Sequence, residues 1–142
     1  MEGIVVVGAG LAGLASCVAL RARGWSGRVT LLGREPHRPY DRPPLSKDVL
    51  AGRRDDTALE ADWAALDVEL LLGGEAVGLS TGTVATTAGE LAYDGLVLAT
   101  GARPLVLPGA PQHVLRTIDD ALALRAQLRP GRRVVVIGAG WI

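Results

Sequence analysis

The sequence contains a single cysteine, has a formal net charge of zero and lacks any apolar stretch long enough to cross a membrane. One cysteine excludes an internal disulfide and any dithiol chemistry within the chain. The balanced, scattered charges give no basic surface for nucleic acid or for an anionic membrane. The amino terminus also lacks the basic and apolar regions of a secretory signal. These absences predict a soluble cytoplasmic protein whose 142 residues suffice for one ordinary domain.

Few side chains suit metal binding or nucleophilic catalysis. His37 has no second histidine or cysteine near it in the sequence, so no metal site is predicted. Cys17 falls within a predicted helix, where we expect a small packed residue and not a nucleophile. The fifteen basic residues comprise fourteen arginines and one lysine, Lys47. The scarcity of lysine makes Lys47 a candidate functional cation.

Residues 3–13 have the pattern of a buried strand, a tight turn and a helix start. Gly8, Gly10 and Gly13 have the spacing G-x-G-x-x-G. In such a motif the first glycine forms the turn, the second lets the backbone approach a pyrophosphate, and the third lets the helix pack closely on the strand. We therefore expect a dinucleotide diphosphate at the helix N-terminus. A strand, turn and helix without a ligand is the alternative.

The helix after these glycines is predicted to end at residues 24–27 and to lead into a second strand over 28–32. Its predicted apolar face comprises Leu11, Leu14, Ala15, Val18 and Ala22. An acidic residue near the end of the second strand would bind a ribose, and Glu35 is the candidate. Arg34, beside it, would instead meet a 2′-phosphate. A third possibility is that both are solvated loop residues.

Residues 36–47 form a proline-stiffened segment, with four prolines in nine residues. Such a segment is excluded from helix interiors and central strands, and it suits the wall of a ligand pocket. Ser46 is the predicted N-cap of a short helix that runs through Leu50. A second helix is predicted over residues 57–66.

The next part of the chain has the pattern of strands. A strand over residues 68–72 precedes three short strands over 76–80, 83–87 and 90–93, a spacing typical of a meander. A buried strand over 95–99 then ends at Thr100-Gly101. The sequence therefore predicts an α/β fold in which a Rossmann-like parallel sheet has a three-stranded antiparallel meander as a crossover.

The last part of the chain repeats features of its beginning. Residues 105–111 are a proline-rich exit and the best candidate for a domain boundary. Residues 117–120 have the spacing of a capping box for a helix that runs to Leu128. A strand predicted over 132–137 is followed by a second glycine turn at Gly138 and Gly140.

Two G-x-G turns about 130 residues apart, the meander crossover and an Ala-Thr-Gly strand end resemble the two-dinucleotide flavoprotein reductases of the pyridine nucleotide-disulfide oxidoreductase superfamily. Where the disulfide-reductase branch has a cysteine pair, this chain has Tyr40-Asp-Arg-Pro-Pro-Leu-Ser-Lys47. That string is similar to FAD-dependent ferredoxin reductases of the putidaredoxin, rubredoxin and biphenyl-dioxygenase types. The resemblance covers the whole chain but only the amino-terminal part of such an enzyme.

The resemblance implies FAD as cofactor, NAD(P)H as substrate and an iron–sulfur protein of the ferredoxin or rubredoxin type as electron acceptor. It also implies an FAD-binding domain over residues 1–110, then a linker helix and the first strand and turn of an incomplete NAD(P)H-binding domain over 111–142. We expect the 142-residue chain alone to bind FAD weakly and not to turn over NAD(P)H. A stand-alone nucleotide-binding module is the alternative, and a flavoprotein similar to apoptosis-inducing factor or associated with nitrite reductase is a third possibility.

The resemblance also implies roles for individual residues. Lys47 would be the catalytic cation near flavin N5, where it would favour the anionic reduced flavin. Val77 would cover the adenine by its backbone, and the family commonly carries an acid where Arg34 stands. The implied cofactor-binding residues are Gly8, Gly10, Leu11, Ala12, Gly13, Arg34, Glu35, Lys47, Val77, Thr100, Gly101, Arg116, Gly138 and Gly140.

Overall fold

The computed structural model describes residues 3–109 and 111–138. It divides the chain into two compact units, of which the first comprises residues 1–40 and 58–102 and the second comprises 41–57 and 103–142. The domain assignment with a boundary after residue 110 stays a prediction. None of the helices within the described residues is long and apolar enough to cross a membrane.

Seven strands lie in the first unit: β1 (Gly3–Val7), β2 (Arg28–Gly33), β3 (Glu69–Leu72), β4 (Ala76–Ser80), β5 (Thr83–Thr86), β6 (Gly89–Ala92) and β7 (Gly95–Leu98). Four of them form a parallel sheet in the order β3-β2-β1-β7. The other three form an antiparallel meander in the order β4-β5-β6. The predicted parallel sheet with a meander crossover is confirmed.

The parallel sheet carries a hydrophobic cluster on each face, because successive side chains of a strand point to opposite sides. On one face, Val5 and Val7 pack with Val84 of the meander. On the other face, Val6 packs with Cys17 of helix α1 (Leu11–Ala22). The first unit is therefore a three-layer arrangement of meander, sheet and helix.

Helix α1 buries a different face from the predicted one. Its buried residues are Gly13, Leu14 and Cys17. Of the predicted apolar face, only Leu14 is buried, whereas Leu11 is 61% and Val18 is 45% exposed. Because the helix approaches the turn closely at Gly13, its side with Cys17 faces the strands. The spacing of apolar residues in the sequence did not indicate this orientation of the helix.

The helix predicted over residues 57–66 is wrong over most of its length. Only Trp63–Leu66 is helical, as α2, and the side chain of Asp62 caps it by accepting from the Ala65 amide. The residues before α2 take part in backbone pairing instead, with a bridge between Tyr40 and Ala58. Tertiary pairing with the proline-rich segment thus replaces the local helical preference.

In the second unit, Pro43–Ser46 of the proline-rich segment form a 3-10 helix. Ser46 is therefore the last residue of a helical turn and not the predicted N-cap, because Pro43 and Pro44 suit the first positions of a helix. Helix α3 (Ile118–Gln127) has the predicted capping box between Thr117 and Asp120. The strand predicted over 132–137 does not form, and these residues are exposed.

Candidate dinucleotide-binding site

Gly8 forms a tight turn between two neighbouring strand ends. Its φ is 116°, a backbone conformation that favours glycine. Its amide donates to the Leu32 carbonyl over 2.8 Å. A Cβ at Gly8 would stand 2.1 Å from the carbonyl oxygen of Ala99, which follows β7. Only glycine fits this turn between the carboxyl ends of β2 and β7.

Two further glycines fix how the turn packs. A Cβ at Gly13 would stand 1.9 Å from the carbonyl oxygen of Gly8, so the start of α1 packs directly on the turn. A Cβ at Gly33 would stand 2.5 Å from the Cβ of Ala9. Gly33 was not predicted as a functional position, although a glycine at the last residue of a buried strand is a signal of close backbone approach.

Gly10 differs from the other two glycines of the motif. A Cβ at Gly10 would have no heavy atom within 4 Å outside its chain neighbours, so the space beside it is open. The first helical hydrogen bond runs from the Leu14 amide to the Gly10 carbonyl over 3.0 Å.

The amides of the first turn of α1, at Leu11, Ala12 and Gly13, donate to no residue of the described chain. No acidic residue lies in this turn. The open space and the unpaired amides fit a diphosphate group.

The loop after β2 carries both candidates for ribose recognition. The hydroxyl of Tyr40, a buried residue, donates to a carboxylate oxygen of Glu35. The guanidinium of Arg34 pairs with the Glu75 carboxylate at 3.6 Å, and its side chain is 51% exposed. Glu35 is thus oriented by a buried partner, whereas Arg34 forms a surface ion pair of the kind that stabilises little. The roles of both residues toward a ribose stay predictions.

The other predicted residues of the first unit lie in the meander and after β7. The pairing register of β4 with β5 shifts between Ala76 and Gly78, so Val77 lies in a bulge and has no partner in β5. Val77 is 63% exposed. Thr100 and Gly101 follow β7 at the carboxyl edge of the parallel sheet, and Gly101 has a φ of 69°. Ligands of open parallel sheets bind at this edge.

Lys47 and Arg116 lie in the second unit. The Lys47 side chain is exposed, and its ammonium donates to the Pro43 carbonyl over 3.3 Å. Within residues 3–109 and 111–138, it forms no ion pair with a carboxylate. The Arg116 amide donates to Asp120, and its carbonyl accepts from Arg42 over 2.6 Å. Among the residues that the structure describes, Lys47 is therefore a cation without an acidic partner. The backbone of Arg116 is hydrogen-bonded at both its amide and its carbonyl.

The second glycine turn is described only at its beginning. Gly138 has a φ of 109°, close to the 116° of Gly8. Both glycines thus have a φ in the range that favours glycine. Gly140 lies outside the described residues.

Cys17 is fully buried beside Val6, Val29 and Leu31. Burial raises the pKa of its thiol, and the nearby Arg21 charge opposes this rise in part. Such a thiol packs as a small apolar group. No group of three or more acidic, histidine or cysteine side chains arranged for a metal occurs among the described residues.

A family model described as pyridine nucleotide-disulphide oxidoreductase matches residues 2–142. Among curated proteins, the ferredoxin–NAD(+) reductase component of the biphenyl dioxygenase system of Paraburkholderia xenovorans (strain LB400) is 42% identical over 153 residues. The match covers 100% of this chain and 38% of that protein. The chain thus spans little more than a third of the length of this relative.

Two solved structures have the same architecture. The crystal structure of Fdr9 superposes with a TM-score of 0.88 and 51% identity, covering 92% of this chain and 34% of that one. The covalent putidaredoxin reductase–putidaredoxin complex gives a TM-score of 0.80 and 38% identity, covering 89% of this chain and 34% of the other. These similarities confirm the resemblance inferred from the glycine turns and the segment from Tyr40 to Lys47.

Proposed function

Because the chain belongs to the pyridine nucleotide-disulphide oxidoreductase family, we propose that its first unit supplies the diphosphate-binding part of an FAD site. The observation that carries this proposal is the open space beside Gly10, next to the amides of Leu11, Ala12 and Gly13, which have no acceptor within the described part of the chain. A diphosphate there would accept hydrogen bonds from the helix N-terminus.

The proposed reaction of the whole protein is electron transfer from NAD(P)H to an iron–sulfur protein. When bound, FAD accepts two electrons together as a hydride and releases them one at a time. The residues of this chain would bind and orient the cofactor. The ammonium of Lys47, which has no acidic partner among the described residues, would stabilise negative charge that develops on the reduced isoalloxazine.

Support for an iron–sulfur partner comes from the relatives. One is a ferredoxin–NAD(+) reductase component, and another is a putidaredoxin reductase crystallised with putidaredoxin. We propose that the complete protein acts on an acceptor of this ferredoxin type, in the cytoplasm.

A nucleotide-binding module without electron transfer is the second candidate. This candidate is supported by the position of the glycine turn at Gly8 and of the amides at the start of α1, which all lie in the first unit. No residue of the second unit is needed to form them. Such a module would bind a dinucleotide but would not need Lys47.

The two functions are separated by an assay on the purified full-length protein. Oxidation of NADH and of NADPH would be measured with ferricyanide and, separately, with a two-iron ferredoxin. We expect one of the two nucleotides to be oxidised with both acceptors. Binding of FAD without oxidation of either nucleotide would favour the binding module, and the 142-residue chain alone is the control for which we expect no oxidation.

A further inference from the structure

The second unit is built from two segments that exchange arginine contacts. From the first of these segments, residues 41–57, Arg42 donates to the carbonyl of Arg116 over 2.6 Å, just before α3 in the second segment. From α3, Arg125 donates to the carbonyls of Val49 and Arg54 over 3.0 and 3.3 Å. Each segment therefore provides a guanidinium that binds the backbone of the other.

Arg125 has the larger set of acceptors. Besides the two carbonyls, its guanidinium donates to the Asp55 carboxylate over 2.6 Å. The Arg125 side chain is 29% exposed, whereas that of Asp55 is 80% exposed. Hydrogen bonds from a charged donor are stronger than neutral ones, and partial burial limits competition from water. The part-buried contact with the Val49 carbonyl is therefore the one expected to restrain the segment most. The contacts with the Arg54 carbonyl and with Asp55 are exposed and add less.

The restrained segment carries Lys47 in a series of turns. The Lys47 amide donates to the Pro44 carbonyl over 3.0 Å, and its own carbonyl accepts from Ala51 over 2.8 Å. Val49 is fully buried and its carbonyl accepts from Arg125. Lys47 thus lies two residues before Val49, whose carbonyl is bound by Arg125 of α3.

We propose that Arg125 is a positioning residue that fixes the backbone on which Lys47 is presented. This proposal rests on the proposed function only for the role of Lys47 toward the flavin. The restraint itself is a property of the second unit. Without Arg125, the turns from residue 47 to 54 would keep their local hydrogen bonds but lose their attachment to α3 at Val49 and Arg54.

The first test measures the restraint without reference to flavin. A lysine-specific protease cleaves this chain only after Lys47, the single lysine of the 142 residues. In the full-length protein, the peptides produced would identify this cut, and its rate reports local opening of the segment. We expect Arg125→Met to accelerate cleavage after Lys47 by about tenfold. An unchanged rate would overturn the proposal, whether or not the protein binds a flavin.

The matched control is Arg129→Met. Arg129 lies just beyond the end of α3, is exposed, and its side chain makes no hydrogen bond or ion pair with the described residues. Arg129→Met removes the same charge as Arg125→Met but no hydrogen bond or ion pair with the described residues. We therefore expect it to leave the rate of cleavage after Lys47 unchanged. Should Arg125→Met fail to fold, Arg125→Gln provides the comparison, because its side chain is polar but shorter and uncharged. We again expect faster cleavage after Lys47, and an unchanged rate would overturn the proposal.

The second test asks whether Arg125 acts through Lys47. The rate of flavin reduction by NAD(P)H would be measured for Arg125→Met, Lys47→Met and the double variant. We expect Arg125→Met to slow reduction by about fivefold in the presence of Lys47 and to have no further effect in Lys47→Met. Additive effects would contradict positioning through Lys47. A wild-type protein without flavin would contradict the proposed function and leave the protease result to decide on the restraint.

Discussion

Gly8 lies so close to Ala99, the residue that follows β7, that a Cβ on Gly8 would stand 2.1 Å from the Ala99 carbonyl oxygen. Gly8 also has a φ of 116°, which residues with a side chain rarely adopt. We therefore expect Gly8→Ala to lower the free energy of unfolding by about 3 kcal/mol. Urea unfolding of both proteins measures this change, and a loss below about 1 kcal/mol would show that the turn relaxes easily.

Gly10 provides the contrasting substitution, because a Cβ there meets no atom within 4 Å. Its φ of −104° is accessible to any residue. We expect Gly10→Ala to change the free energy of unfolding by about 1 kcal/mol or less, and to weaken flavin binding at least about tenfold. Flavin affinity, measured by titrating the apoprotein, and urea unfolding test the two halves of this expectation. Unchanged affinity would place the diphosphate elsewhere.

The loop after β2 offers a choice between Glu35 and Arg34 for ribose recognition. We expect Glu35→Gln to weaken flavin binding about tenfold, because a charged acceptor is lost while an oxygen remains for the Tyr40 hydroxyl. Arg34→Gln is the matched control, and it removes only a partly exposed ion pair with Glu75. If Arg34→Gln weakened flavin binding more than Glu35→Gln, ribose recognition would be assigned to Arg34.

Lys47 is expected to act on the reaction and not on the fold. Its side chain is exposed and donates only to the Pro43 carbonyl among the described residues. We expect Lys47→Met to leave the free energy of unfolding within about 0.5 kcal/mol of wild type and to slow flavin reduction about tenfold. Stopped-flow absorbance measures the reduction step. Equal rates in the two proteins would remove Lys47 from the mechanism.

Cys17 is expected to link stability to alkaline pH. Burial raises the pKa of its thiol in the folded state. The stability contributed by the protonated thiol is therefore complete below the unfolded pKa, about 8.5, and is lost as the pH rises through the folded pKa. Unfolding of wild type and Cys17→Ala would be compared from neutral to alkaline pH. We expect the difference between the two proteins to decrease at high pH, and a constant difference would be inconsistent with the raised pKa.

Most of the first unit was predictable because its signals are local. The strand at Gly3–Val7, its glycine turn and the meander over residues 76–92 each carry their own pattern of apolar, glycine and turn residues. The glycine roles also follow from spacing, and the structure gives Gly8 and Gly13 the tight contacts that these roles require.

The errors occur where distant contacts decide the conformation. Residues before Trp63 pair with the proline-rich segment and do not form a helix. The rotation of α1 follows from the close contact of Gly13 with Gly8, which the apolar period does not encode. Likewise, the contact between Arg125 and Val49 joins positions 76 residues apart, so no local pattern indicated it.

A flavin dinucleotide bound by its diphosphate at the start of α1 underlies every role proposed above for these residues. The direct measurement is the visible absorbance of the purified full-length protein, with the released cofactor identified by chromatography. We predict FAD in near-stoichiometric amount in wild type and a clear loss of it in Gly10→Ala. A correctly folded wild-type protein that neither retains FAD nor takes it up when it is added would contradict the account.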